Sequence, residues 1–274
     1  MQSNILSTNI IGAIGYSILN KKQIKIMVIA DMHKLNEKCG DIFISEWLKR
    51  QHDIKLLLEE VPVTNTKLKE LWSDAPHTKK LRELYLNNLD KIVGLDIRGE
   101  LLDFSWELLE EMKFGNIKLI DYLKYLELFF SFRHPFFKQN LPNIYKKDII
   151  NNETLIGQHF DKLQKQYYDF KIKNKEYLNK LVEDIYKSNK DILEQINLML
   201  NSIMEFYTIM QIYNCALLGN KKIIIHKGLF HTSNLKAWLT DLYKFDLLDD
   251  SGLTEFDKID KIKHTGCLKM PEFI

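Results

Sequence analysis

The sequence predicts an α/β fold: a mostly parallel central sheet flanked by helices, with a long helical insertion before the last core strand. Three observations predict it. Four short, apolar, β-branched runs occur along the chain, helix-period segments separate them, and each run ends in a cluster of polar residues. The runs are continuous rather than alternating, the pattern of strands covered on both faces.

Taken in order, the stretch Ile5–Leu19 is fairly apolar, has no basic residue before it and does not reach transmembrane length. It is expected as a first helix packed on the sheet rather than a signal peptide or membrane anchor. The first strand is Ile24–Ala30, followed by Asp31-Met32-His33; the second is Ile54–Leu58, running into Glu59-Glu60. The third is Lys91–Ile97, ending at Arg98, and the fourth is Lys222–His226, ending at Lys227-Gly228-Leu229-Phe230-His231. Helical patterns at Asp41–His52, Leu68–Trp72, Leu81–Leu89 and Ser233–Leu239 fill the gaps. Strand, helix, strand in this order gives right-handed crossovers with helices on both faces.

Residues 101–217 read as a helical insertion subdomain within a single α/β domain, 1–274. Its best segment is Tyr177–Leu217, with Leu178, Leu181, Val182, Ile185, Ile192, Ile196, Met199 and Ile203 on one stripe. A helix of that length must pack along most of the domain or kink. The aromatic stretch Phe129–Pro142 interrupts the insertion, either as core filling between helices or as a hydrophobic lid or membrane-contacting tip. Turn signals at Asp250-Ser251-Gly252 and Thr265-Gly266 mark a tail around a small terminal strand.

The 39 basic and 37 acidic side chains nearly cancel, leaving a formal charge of +2. That argues against nucleic acid as a partner, because phosphate binding needs clustered positive charge. Cys39, Cys215 and Cys267 are odd in number, far apart and without C-x-x-C spacing. Neither a disulfide framework nor a structural zinc cluster is expected, and a reducing, cytoplasmic setting fits best.

In open parallel sheets, ligands bind beyond the carboxyl ends of the strands. All four strands here release polar residues at that edge: Asp31 and His33, Glu59 and Glu60, Asp96 and Arg98, His226 and His231. Each has a plain structural alternative. His33 can be a loop or cap residue, Asp96 and Arg98 an ion pair, and His226 a buried, hydrogen-bonded ring. Adjacent Glu59 and Glu60 point to opposite faces, so only one lines a site.

Two histidines and a carboxylate are a common ligand set for a divalent transition metal with an open position. Such an ion lowers the pKa of bound water towards about 7. The second carboxylate can serve as general base, and Arg98 can stabilise a developing oxyanion. The chain has no G-x-S-x-G elbow, H-E-x-x-H, Walker loop or G-x-G-x-x-G. A pair of Cys39 with His33 stays open, although nothing marks that thiol as activated.

The segments A-D-M-H (Ala30–His33), L-L-L-E-E (Leu56–Glu60), G-L-D-I-R (Gly94–Arg98) and G-L-F-H (Gly228–His231) together resemble the TraB/TIKI superfamily. That group includes the TIKI metalloproteases, the ChaN-like haem-associated proteins and the erythromycin esterase-like enzymes. Its members carry two G-x-x-H motifs, a glutamate and often an arginine, in this order. The second motif is complete here; the first has Ala30 where glycine is usual, and Asp31 resembles the acid of the G-E-x-H version. The resemblance implies a central trio of His33, Glu59 (or Glu60) and His231 with Arg98 beside it. It implies divalent-metal peptidase activity in the TIKI-like case and metal-free water activation in the esterase-like case.

The resulting expectation is a hydrolase of peptide or ester bonds, acting on a small-molecule or peptide substrate. His33, His231 and Glu59 would hold Mn, Co or Zn. Two alternatives are a metal-free esterase and a non-catalytic protein on the same fold that binds a haem-like ligand or a partner. No stable membrane span is expected.

Overall fold

The computed structural model describes residues 8–32, 39–62, 75–101, 116–134, 147, 149–151, 153–261 and 266–273. The chain divides into two compact units, one made of residues 1–63, 72–95 and 211–274, the other of 64–71 and 96–210.

Among the described residues, the first unit carries nine strands: β1 (Asn9–Ile11), β2 (Gly15–Lys21), β3 (Ile24–Asp31), β4 (Ile42–Phe43), β5 (Lys55–Leu58), β6 (Ile92–Gly94), β7 (Lys222–Gly228), β8 (Asp246–Gly252) and β9 (Cys267–Lys269). Six form one sheet in the order β6-β5-β7-β3-β2-β8. The four strands expected from the sequence are the four neighbours β6, β5, β7 and β3, all parallel, so their carboxyl ends share one edge. β2 and β8 extend the sheet antiparallel beyond β3. The fold is α/β with a mostly parallel sheet, as the continuous apolar runs predict.

Alternation along β3 sorts the core. Met27 and Ile29 face α1 (Ile44–Lys49) and α2 (Pro76–Leu86), packing with Trp47, Leu48, Leu81 and Leu84. Each such buried apolar side chain contributes about 1.5–3 kcal/mol. Ala30 faces the other way, against Leu229 and Leu253. Asp31, the last residue of β3, therefore has the parity of the α2 face.

The N-terminal stretch corrects an expectation: it is β1 and β2, not a helix. Its isoleucines fit either period, but Gly15 lies where a Cβ would run into the Leu253 carbonyl, and that close approach belongs to a sheet. Asp250-Ser251-Gly252 is likewise the end of edge strand β8 rather than a turn; its side chains are mostly exposed, so it shows no apolar pattern. The Leu68–Trp72 helix lies outside the described residues.

A second, three-stranded sheet has the order β4-β1-β9. A disulfide joins Cys39 to Cys267, with Cα atoms 5.9 Å apart. This corrects the expectation that the three cysteines form no disulfide framework: two of them are bonded and Cys215 is free. The two bonded cysteines are 228 residues apart in sequence, and the pairing of β1 with β4 on one side and β9 on the other brings them together.

In the second unit most of the described residues lie in helices, among them α3 (Leu119–Tyr122), α4 (Lys124–Phe130), α5 (Leu155–Lys173) and α6 (Val182–Ser188). The long α7 (Lys190–Leu217) begins there and ends in the first unit. The Thr154 hydroxyl caps α5 by accepting from the Gly157 N–H. The stripe from Tyr177 is not one helix. Leu181 bridges to Lys118, the Val182 N–H goes to the Ile117 carbonyl, and Asn189 leaves helical geometry at φ −155 and ψ 75. Phe129 and Phe130 are buried with Phe160 and Tyr167, so that part of the aromatic stretch is core; residues 135–142 lie outside the described residues. In the first unit, α7 is followed by β7 and then α8 (Leu229–Ala237). Among the described residues, no helix is long and apolar enough to cross a membrane.

Candidate functional site

Three adjacent parallel strands deliver acids and imidazoles to one edge. The Glu59 N–H donates to the His226 carbonyl at 3.0 Å, extending the β5–β7 ladder one step beyond Leu58. This fixes the Glu59 backbone beside the end of β7. Its Oε2 then accepts the Gly228 N–H at 2.7 Å. Gly228 is the N-cap of α8, so a carboxylate from another strand holds the amide that a capping-box acid holds from within a helix. The positive end of the helix favours the charged carboxylate there.

His231, in the first turn of α8, brings its Nε2 to 3.4 Å from the other Glu59 oxygen, Oε1. Both side chains are 9% exposed, so water reaches the pair without surrounding it. This juxtaposition joins the second and fourth of the sequence motifs.

A second carboxylate–imidazole pair lies on the α2 side of the sheet. His77 Nε2 donates to Asp31 Oδ2 at 3.1 Å, and both side chains are fully buried. Gly12 packs against this ring: it has φ +90, and a Cβ there would stand 2.9 Å from His77 Cδ2 and 2.9 Å from Ile44 Cγ2. The Gly12 carbonyl accepts from His226 Nε2 at 2.8 Å. His226 is buried, and this bond ties β7 to the β1–β2 connection.

The structure thus brings Glu59 and His231 together, pairs Asp31 with a partner absent from the sequence reading, and engages His226 with backbone. Glu60 is buried at 5% exposure. Asp96 and Arg98 belong to the second unit and form a bidentate ion pair, Nε to Oδ1 and Nη2 to Oδ2, both at 2.8 Å. Arg98 also gives Nη1 to Asn201 Oδ1 at 3.0 Å. His33 lies outside the described residues.

Two residues escaped sequence reasoning. His77 had a faint signal: it begins the stripe Leu81, Leu84 and Tyr85 of α2. Lys227 is wholly buried on β7, opposite Ala30. The sequence places it just after the expected strand end at His226, where a lysine reads as exposed. Its burial within β7 is a finding of the structure, since lysine is almost never fully buried unless paired.

Thiol chemistry has little support. Cys39 is in the disulfide, and burial pushes the Cys215 thiol up to about 11, with Lys55 opposing weakly. Among the described residues, no group of three or more His, Cys, Asp or Glu could hold a metal ion. The donor chemistry of the Glu59–His231 pair nevertheless fits one. Their 3.4 Å separation is long for a hydrogen bond. It is close to the ~3.4 Å edge between two ligands of a tetrahedral ion with bonds of about 2.0–2.2 Å. No known family, curated protein or solved structure matches the chain.

Proposed function

We propose that the chain is a hydrolase that activates water to cleave a peptide or ester bond, with its reacting centre at Glu59 and His231. The observation that carries this reading is the 3.4 Å pairing of these two side chains at the carboxyl edge of a parallel sheet, narrowly open to solvent. Ligands of open α/β sheets bind at such edges.

In this reading His231 and Glu59 hold a divalent ion such as Mn, Co or Zn, with His33 as the third donor. Such an ion, when bound, supplies a water of lowered pKa at neutral pH. The Gly228 N–H restrains Glu59 by occupying Oε2, which leaves Oε1 directed at His231. The α8 backbone fixes His231, and Glu59, just beyond the end of β5, is held by its N–H on the His226 carbonyl and its Oε2 on the Gly228 N–H. The reading asks nothing of Arg98, whose fork is engaged by Asp96 and Asn201. A small-molecule or peptide substrate, a cytoplasmic setting and kinship with the TraB/TIKI superfamily belong to the same proposal.

The Glu59–His231 contact also supports a metal-free version, in which the carboxylate orients the imidazole as general base. One assay separates the versions. Purified protein is offered acyl esters and fluorogenic peptides with Mn, Co or Zn and after exhaustive chelation. Turnover that needs the ion and is lost in His231→Ala supports the metal reading. Turnover that survives chelation but is lost in His231→Ala selects the metal-free one. Undetectable wild-type turnover, or turnover equal to wild type in His231→Ala, overturns both.

A further inference from the structure

The small sheet is short in every strand, three residues in β1, two in β4 and three in β9, and among the described residues it shares no ladder with the six-stranded sheet. The disulfide lies across it. Cys267 is paired with Ile11 in the β1–β9 ladder, and Cys39 lies just ahead of β4, which pairs with the other side of β1. Asp41 adds to the closure: its N–H donates to the Asn9 carbonyl at 2.9 Å and its carboxylate accepts the Asn9 N–H at 2.8 Å. From β1 the chain enters Gly12, whose N–H reaches the Gly266 carbonyl at 3.3 Å, just before Cys267. Gly12 is also the residue that packs on His77 and holds His226.

We propose that Cys39 and Cys267 are a redox-responsive clasp, closing the small sheet and steadying the Gly12 contacts with His77 and His226 at the end of the large sheet. Neither cysteine is a fully buried residue. In the opening step, one thiolate of a dithiol reductant attacks one sulfur and the Cys39–Cys267 bond breaks. Its second thiolate then displaces the mixed disulfide. Two electrons pass to the protein, which gains two thiols, and the reductant leaves as its own disulfide. A disulfide oxidant reverses the exchange. Once open, β9 is held by its three-residue ladder and by Met270 and Phe273 in the core. Elements with so few backbone bonds open locally while a larger sheet stays closed. Disulfides of reducing compartments, where they occur, are usually of this transient kind.

The test uses the full chain, oxidised with glutathione disulfide or reduced with dithiothreitol. Thiols are counted in denaturant, and amide exchange is followed by mass spectrometry. The expected count is one thiol when oxidised, that of Cys215, and three when reduced. Peptides covering residues 8–12 and 266–273 should exchange at least about tenfold faster after reduction, with β3 and β7 unchanged. Cys267→Ser should reproduce the reduced pattern and ignore the reductant. Three thiols after oxidation, identical exchange in both states, or loss of protection throughout the chain each overturn the clasp.

Discussion

The Glu59 carboxylate is shared between two tasks, with Oε2 on the Gly228 N–H at 2.7 Å and Oε1 3.4 Å from the His231 ring. The two tasks can be separated by substitution. Glu59→Ala removes the acceptor of a largely buried amide and should cost about 1 kcal/mol of stability as well as activity. Glu59→Gln keeps an oxygen for Gly228 but loses the charge. It should unfold in urea near the wild-type midpoint while turnover drops by about 10²-fold or more. A stable Glu59→Gln protein with full turnover would remove Glu59 from the chemistry.

Asp31 and His77 make the opposite case. Both side chains are fully buried, so the pair is placed to stabilise rather than to react. Removing one partner takes away a buried hydrogen bond of the other, a change that costs about 1–3 kcal/mol. His77→Ala and Asp31→Ala are expected to lose that much unfolding free energy in urea, seen as a lower midpoint, out of the roughly 5–15 kcal/mol of a typical domain. Asp31→Asn keeps an acceptor for the ring and should lose less. Equal midpoints for all three variants and wild type would refute the buried pairing.

Gly12 depends on the same ring. An alanine there takes a left-handed φ of +90 and places its methyl 2.9 Å from both His77 and Ile44. Gly12→Ala should cost about 1–3 kcal/mol from backbone strain, plus the clash. In a His77→Ala background half of that clash is gone. The double variant should therefore be more stable than the sum of the single losses predicts, by about 0.5–3 kcal/mol, the usual range for residues in contact. Simple additivity in denaturant unfolding would show that Gly12 and His77 do not touch.

What could be read in the sequence follows from what each residue does. β3, β5, β6 and β7 are covered on both faces, so their apolar runs were legible, and so were the polar residues at their ends. The pairing of Glu59 with His231 was legible only as a meeting of motifs, because the ladder register that sets its distance is a long-range property. β1 and β2 were misread because closely spaced isoleucines suit a helix as well as a strand. β8 carried no signal, since Leu247, Leu248 and its aspartates are exposed on the sheet edge. The disulfide was illegible for a similar reason: distance along the chain says nothing about which strands become neighbours.

A pH effect on stability follows from His159 in α5, whose ring meets the edge of Phe206 in α7 at 5.1 Å. Burial, aided by the nearby charge of Lys162, lowers its pKa from 6.5 to about 4. The folded protein thus keeps this ring neutral where the unfolded chain would protonate it. Because the unfolded state binds more protons between those values, stability is complete above about pH 6.5 and falls as the pH drops towards 4. The contribution at stake is of order 3 kcal/mol, at about 1.4 kcal/mol per pKa unit. His159→Leu cannot take up that proton in either state, so its urea midpoint should fall less than the wild type's between pH 7 and pH 4.5. Subtracting one profile from the other cancels the remaining titrating groups, including His134, which burial also lowers. A difference that does not change with pH would mean that the His159 ring is protonated as readily in the folded protein as in the unfolded chain.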